Sequence, residues 1–180
     1  MRGGRSAVIV GQTILVGAAL GVVMGVLWWW VAPTEQWVVS DAGLTPAEVG
    51  FTEWFDADAW FLVWGAGAGV LLTAISWRPG RDRPVALVLG IVVGAGVVAL
   101  VAWAVGGALG APDPQTVAET ADVGTAVPGA LGIRATAVLF APSLTSLTVL
   151  ALLLSNARLY RKGATDAHSA TSAGVPQQIW

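Results

Sequence analysis

Residues 84–109 read PVALVLGIVVGAGVVALVAWAVGGAL, without one charged side chain. A helix rises about 1.5 Å per residue, and roughly 20 apolar residues suffice to cross the hydrocarbon core of a bilayer. This stretch is longer than that. It therefore predicts a membrane-spanning helix.

Three further apolar stretches are long enough to span a membrane, at about residues 7–31, 59–77 and 133–154. Only 11% of the chain is charged, against about 25% in an average soluble domain. The sequence thus predicts an all-α fold, an integral membrane four-helix bundle over residues 1–162 with two extracytoplasmic loops. The remaining residues, 163–180, are rich in Ala, Ser, Thr and Gln, which predicts a disordered cytoplasmic tail.

The first span differs from a cleaved secretory signal at its outer end. A cleavage site needs small residues at alternate positions, whereas this span ends in Trp28-Trp29-Trp30. We therefore expect an uncleaved helix. Its tryptophans are predicted to mark the outer membrane interface, where an apolar ring is buried while the indole N–H stays hydrated.

The basic residues indicate how the bundle is oriented. Eight of the nine lysines and arginines precede the first span, lie between the second and third spans, or follow the fourth span. Acidic side chains dominate the two longer connections. Because short basic loops are retained in the cytoplasm, both termini are predicted to be cytoplasmic and the acidic loops external.

Glycines recur at every fourth position on the first three spans. Such small residues let helices approach closely in a bilayer, so we expect them to pack the bundle internally, with self-association of the chain as the alternative. Gln12 and Thr13, near the inner end of the first span, are expected to hydrogen-bond a neighbouring helix. The glycines concerned are Gly17, Gly21, Gly25, Gly65, Gly69, Gly90 and Gly94.

Three carboxylates, Glu53, Asp56 and Asp58, lie among aromatic residues where the second span begins. Acidic side chains near a helix N-terminus are stabilised by the free amides and by the helix dipole. Capping of the second helix is therefore the simplest interpretation. A cation site and a salt bridge to another helix are the alternatives.

Arg134 is the only basic residue on the acidic side of the chain, and it lies where the fourth span begins. Its side chain can extend toward lipid headgroups, or it can pair with Asp58, Glu53 or Asp122 across the bundle. Both interpretations remain open at this point.

Pro142 lies inside the predicted fourth span. Proline within a helix removes one backbone hydrogen bond and clashes with the preceding turn, which predicts a kink. Ser and Thr residues follow it and can supply hydroxyls to the freed carbonyls. A moving gate or a ligand-lining bend is the alternative.

The first external loop contains the order Thr45-Pro46-Ala47-Glu48, which is typical of a helix start. We expect a short surface helix from about Pro46 to Phe55. Residues 36–40 favour a brief extended strand instead.

The residue types restrict the chemistry. The chain has no cysteine, and its one histidine, His168, lies in the polar tail. Intramembrane aspartyl proteolysis, metal hydrolysis and serine catalysis need groups that the spans do not carry. No catalytic residue, metal site or cofactor is predicted, and no nucleic-acid partner. The predicted partners are the lipid bilayer and either another membrane protein or further copies of the chain.

The sequence resembles a family of uncharacterised four-span actinobacterial membrane proteins over about residues 7–160. The resemblance rests on Glu53-x-Phe55-x-Ala57-Asp58-x-x-Phe61, the basic turn before Pro84, Ala102-Trp103 and Pro142. Such proteins more often have a tryptophan before the last proline, where this chain has Ala141. The resemblance implies the same architecture in a bacterial inner membrane, and no established activity, cofactor or catalytic residue.

Several functions are compatible with these features. An accessory or scaffold component of a cell-envelope membrane complex requires the fewest assumptions, since the spans offer packing surface and the external loops offer a docking face. A small homo-oligomeric transporter or channel is the main alternative, although none of the spans carries a charge near its middle. A membrane enzyme and a sensor of envelope stress are further alternatives.

Overall fold

The computed structural model describes the backbone of residues 2–47 and 53–173 and the side chains of residues 4–47 and 55–157. The fold is mostly helical, as predicted, and four helices are long and apolar enough to cross a membrane. The third helix has the predicted bounds, whereas the first two extend past the predicted spans because polar end residues continue the helix. The helices are α1 (Arg2–Val31), α2 (Glu53–Gly80), α3 (Pro84–Leu109), the short α4 (Pro114–Ala118) and α5 (Ala141–Ala173).

The long helices pack in two close pairs, α1 with α3 and α2 with α5. A Cβ atom added to Gly17 would lie 2.5 Å from the carbonyl oxygen of Gly94, and one added to Gly69 would lie 2.5 Å from that of Pro142. Backbones therefore touch where the sequence has no side chain, which is the packing mode of small residues in membranes. The other glycines singled out by the sequence, Gly21, Gly25, Gly65 and Gly90, also face a neighbouring helix closely.

Hydroxyl groups add interhelical hydrogen bonds to the α2–α5 pair. The Thr73 hydroxyl donates to the Ser146 carbonyl at 3.1 Å, and the Ser146 hydroxyl donates to the Gly69 carbonyl at 3.0 Å. Near the other end of the chain, the expectation for Thr13 is wrong, because its hydroxyl donates to the Ile9 carbonyl of its own helix. Thr13 is buried against α3, where Gly90 and Gly94 leave room for it.

Trp28 corrects the prediction that all three tryptophans of α1 mark the membrane interface. Trp28 is fully buried, whereas Trp30 is 76% exposed. The Trp28 ring fits against Gly106 and meets Phe61 edge to face at 5.1 Å, and its indole N–H donates to the Ala57 carbonyl at 2.8 Å. The indole N–H thus has a hydrogen-bond acceptor within the protein, which allows the ring to be buried in the core.

The fourth long helix differs from the prediction at both ends. A 3₁₀ helix, Thr136–Phe140, precedes α5, so the α-helix starts later than residue 133. Pro142 is then the second residue of α5 and does not kink the helix interior, because a first-turn residue has no intrahelical N–H bond to lose. At the other end α5 continues to Ala173, although residues 163–180 were predicted to be disordered. Alanines at 164, 167, 170 and 173 favour this extension, and residues 174–180 lie outside the described part.

A small antiparallel sheet lies at one end of the bundle, in the order β2-β1-β3. Its strands are β1 (Gln36–Ser40), β2 (Gly43–Pro46) and β3 (Ala126–Pro128), which confirms the extended alternative for 36–40. Gly43 has φ +110°, a conformation that favours glycine in the tight β1–β2 turn. The predicted surface helix is wrong at Pro46, which pairs with Trp37 in the sheet; residues 48–52 lie outside the described residues.

Candidate functional site at the acidic end of the bundle

The sheet, α4 and the segments that join them form a folded layer, which we call the outer layer (residues 32–47 and 110–135). It covers the end of the bundle that carries the acidic loops, here called the acidic end. The opposite end, with the start of α1 and the α2–α3 connection, is called the basic end. The candidate site residues Asp58 and Arg134 both lie where the outer layer meets the helices.

Asp58 joins α2 to the segment that leads into the fourth long helix. Asp58 is buried, with only 5% of the residue exposed. One oxygen accepts from the backbone N–H of Arg134 at 3.2 Å, and the other accepts from that of Ala135 at 2.8 Å. A single buried carboxylate therefore satisfies two consecutive amides of a distant segment.

This geometry replaces a local helix cap. The residue that precedes the 3₁₀ helix, Ala135, has no side chain that could accept a hydrogen bond, and no side chain of its own segment caps it. A negative charge next to exposed amides at a helix start is favourable. Asp58 lies within the second turn of α2 and accepts from the N–H groups of Ala135, the residue that precedes the 3₁₀ helix, and of Arg134 before it, so the carboxylate holds the start of that helix from across the bundle.

The Arg134 side chain forms an ion pair with Glu35, which was not among the predicted partners. The guanidinium Nη2 lies 2.5 Å from Glu35 Oε1, and the two side chains are 52% and 25% exposed. Glu35 directly precedes β1, and its carbonyl accepts from the Gly129 N–H, just after β3, at 2.7 Å. The ion pair thus connects the sheet to the entry of the 3₁₀ helix.

The other predicted site residues have less defined surroundings. Asp56 is half-exposed and makes no hydrogen bond or ion pair among the described residues. The side chain of Glu53 lies outside the described residues. Pro142 faces α2, where Gly69 and Gly65 approach it, and belongs to the helix packing.

A groove of about 660 Å³ lies between the β1–β2 hairpin and α4. This groove was not predicted from the sequence. The Asp113-Pro114 pair carried a signal, because an aspartate followed by proline is typical of a helix start, and Asp113 does accept from the Gln115 N–H at 3.0 Å. The groove is lined by the apolar Trp37, Val39 and Leu44, which are buried or half-buried, and by the exposed carboxylates of Asp41, Asp113 and Glu119.

The charged groups at the acidic end differ in how they are engaged. Within the described ranges, 2–47 and 53–173, no three His, Cys, Asp or Glu side chains come together in a group that could hold a metal ion. The buried carboxylate of Asp58 is engaged by two amides, and Arg134 by Glu35. The groove, by contrast, presents apolar surface bordered by negative charge.

No family model, no curated protein and no solved structure matches this sequence. The resemblance to four-span actinobacterial proteins therefore stays a prediction.

Proposed function

We propose that the chain is a multi-pass protein of a bacterial plasma membrane, with both termini in the cytoplasm, and that it serves as an accessory or scaffold subunit of a cell-envelope membrane complex. The observation that carries the proposal is the groove of the outer layer, an apolar surface with a carboxylate border. The layer is folded, with the Arg134–Glu35 ion pair inside it, and it is attached to α2 through the hydrogen bonds of Asp58 to the backbone of Arg134 and Ala135, so the groove is presented in a fixed position.

The orientation is supported by the distribution of charge. The described connection between α2 and α3 is short and contains Arg81 and Arg83, while the outer layer carries acidic residues and a single arginine. Retention of basic loops in the cytoplasm would place the outer layer outside. There it is accessible to other envelope proteins.

The bundle interior supports a structural role over transport. Ion-coupled carriers place ionisable side chains deep in the membrane, because such groups mark the path of the ion. None of the four spans carries one near its middle. The centre of the described bundle is instead filled by apolar side chains, including the fully buried Trp28, Leu72 and Val98.

The chemistry of the groove indicates the kind of partner. Its carboxylates are matched by only one basic residue in the outer layer, Arg134, which is already paired with Glu35. A partner segment with lysine or arginine side chains would place its charges on the carboxylates and its aliphatic stems against Trp37 and Leu44. We therefore expect a basic segment of a membrane protein to dock here.

The test is a pull-down of the tagged chain from its own membrane in mild detergent, with mass spectrometry of the proteins that co-purify. Glu119→Lys reverses a charge in the groove, and Asp122→Lys reverses an exposed charge of the outer layer that does not line it. We expect a stoichiometric partner with the wild type and with Asp122→Lys, and its loss with Glu119→Lys.

Two outcomes would contradict the proposal. Equal loss in both variants would mean that the groove is not the docking face. Recovery of the chain alone as a discrete homo-oligomer would favour the alternative, a small transporter or channel.

A further inference from the structure

A second recess lies at the basic end, between α1 and the last turns of α2. Its outer part is a cavity of about 680 Å³ lined by Arg5, Asp82 and Arg83 together with apolar residues of α1. Its inner part is a cavity of about 280 Å³ on the same two helices. The two parts share Ile9, Gln12 and Pro79 in their linings and thus form one continuous groove, which we call the basic-end groove.

The polarity of this groove changes along its length. Arginines lie at its mouth, whereas Leu15, Val16 and Ile75 line its inner part. At about 1.5 Å per residue, Gln12 lies roughly 10 Å farther along α1 than Arg5, and Leu15 lies about 15 Å farther. The surface of the groove thus changes from charged to polar to apolar, in the order of the headgroup, glycerol and acyl layers of one bilayer leaflet. The acyl layer of one leaflet is about 15 Å thick.

The mouth of the groove suits a phosphate. Arg83 Nη1 donates to the Ser6 hydroxyl at 3.0 Å, which places this guanidinium against α1. Arg5 and Arg83 line the same cavity. Asp82 offsets one charge, and the exposed Arg78 and Arg81 nearby leave the end positive. Guanidinium groups bind phosphate oxygens with paired, charge-assisted hydrogen bonds.

Gln12 supplies an independent observation. Its side chain is exposed and lines both cavities, yet it makes no hydrogen bond within the described part of the chain. An amide without a partner at membrane depth is costly. The ester carbonyls of a phospholipid lie at this depth and would accept from the Gln12 amide.

We propose that the basic-end groove binds one anionic phospholipid, with the phosphate at Arg5 and Arg83, an ester carbonyl at Gln12 and an acyl chain along Val16 and Ile75. A soluble phosphate compound would leave the inner, apolar part of the groove unfilled, which is why the occupant is a lipid. The proposal requires membrane insertion, and it is independent of the partner proposed for the outer layer.

The test is native mass spectrometry of the purified full chain, titrated with dioleoyl phosphatidylglycerol and, separately, with dioleoyl phosphatidylcholine. Arg5→Ala/Arg83→Ala removes the two lining charges, and Arg78→Ala/Arg81→Ala removes two charges of the same end outside the groove lining. We expect the first double variant to bind phosphatidylglycerol roughly 30-fold more weakly or worse, because two charge-assisted hydrogen bonds to the phosphate are lost. The second should bind it within about threefold of the wild type, because its charges lie outside the groove lining.

Gln12→Leu separates the groove from diffuse electrostatics, because it keeps every charge. We expect about a fivefold loss of phosphatidylglycerol affinity in this variant, in the range of one neutral hydrogen bond. Its folding is checked by an unchanged tryptophan fluorescence spectrum and an unchanged elution volume.

Three results would overturn the proposal. Equal losses in the two double variants would mean general attraction of anionic lipid to a positive surface. Wild-type affinity in Gln12→Leu would remove the assigned ester contact. Displacement of the bound lipid by millimolar inorganic phosphate would mean that the site recognises phosphate alone.

Discussion

The contact of Asp58 with two backbone amides predicts an unusually large effect for a single carboxylate. A hydrogen bond to a charged group contributes about 1.5–3 kcal/mol, and a buried donor left without a partner costs about 1–3 kcal/mol. Asp58→Ala removes two such bonds at a residue that is only 5% exposed. We expect the free energy of unfolding to fall by about 3 kcal/mol or more.

The same reasoning predicts much smaller effects for neighbouring charges. Arg134→Ala breaks an ion pair whose arginine side chain is 52% exposed, and exposed pairs contribute about 1 kcal/mol or less. Asp56→Ala removes a half-exposed carboxylate without a described partner and should change stability by less than about 0.5 kcal/mol. Asp58→Asn keeps one acceptor oxygen, and its free energy of unfolding should fall by about 2 kcal/mol.

Unfolding in mixed micelles at increasing SDS fraction, followed by the fluorescence of the ten tryptophans, measures these differences. Equal losses in Asp58→Ala and Arg134→Ala would refute the reasoning. If the free energy of unfolding of Asp58→Ala fell by less than about 1 kcal/mol, the reasoning would also be refuted, because the amides of Arg134 and Ala135 would then have acceptors other than the carboxylate.

The same titration tests three further features. Gly17→Ala places a methyl group 2.5 Å from a carbonyl oxygen of α3 and should cost about 2 kcal/mol or more, whereas Gly67→Ala, with no atom within 4 Å, should be neutral or stabilising; similar losses in both would contradict the packing. Trp28→Phe loses the hydrogen bond to α2 and should cost about 1–2 kcal/mol, while Trp30→Phe on the exposed face should change little; the reverse order would mean that burial does not distinguish the rings. Ser146→Ala removes an interhelical bond and should cost about 0.6 kcal/mol, so a loss above about 3 kcal/mol would indicate that the hydroxyl does more than bridge α2 and α5.

Length and apolarity made the long helices predictable. In lipid, a run such as 84–109 can hydrogen-bond all of its backbone N–H and C=O groups only as a helix. Spacing also predicted the glycine faces, since residues four apart lie on one side of a helix. The same simple reasoning misplaced Trp28, because its burial depends on a glycine in α3 and a carbonyl in α2 that are remote in sequence.

The acidic end was less predictable for a similar reason. Asp58 and Arg134 were recognised as unusual, but the sequence offered no way to see that the carboxylate binds backbone amides. Glu35 lies 99 residues from Arg134 and was one acidic residue among several in the loops. The sheet that places Glu35 beside Arg134 consists of strands of three to five residues, too short for a clear alternating pattern.

The interlaced pairing of helices has a consequence for how the chain is made. During synthesis α1 and α2 emerge together, yet the main partner of each, α3 and α5, belongs to the second half of the polypeptide. In a membrane, the glycine face of α1 would stay uncovered until α3 emerges, and the face of α2 around Gly69 would stay uncovered until the last helix, α5, is released from the ribosome. Neither α1 with α2 nor α3 with α5 forms a closely packed pair by itself. A chain truncated before α5 would therefore expose the face around Gly69 to quality-control proteases.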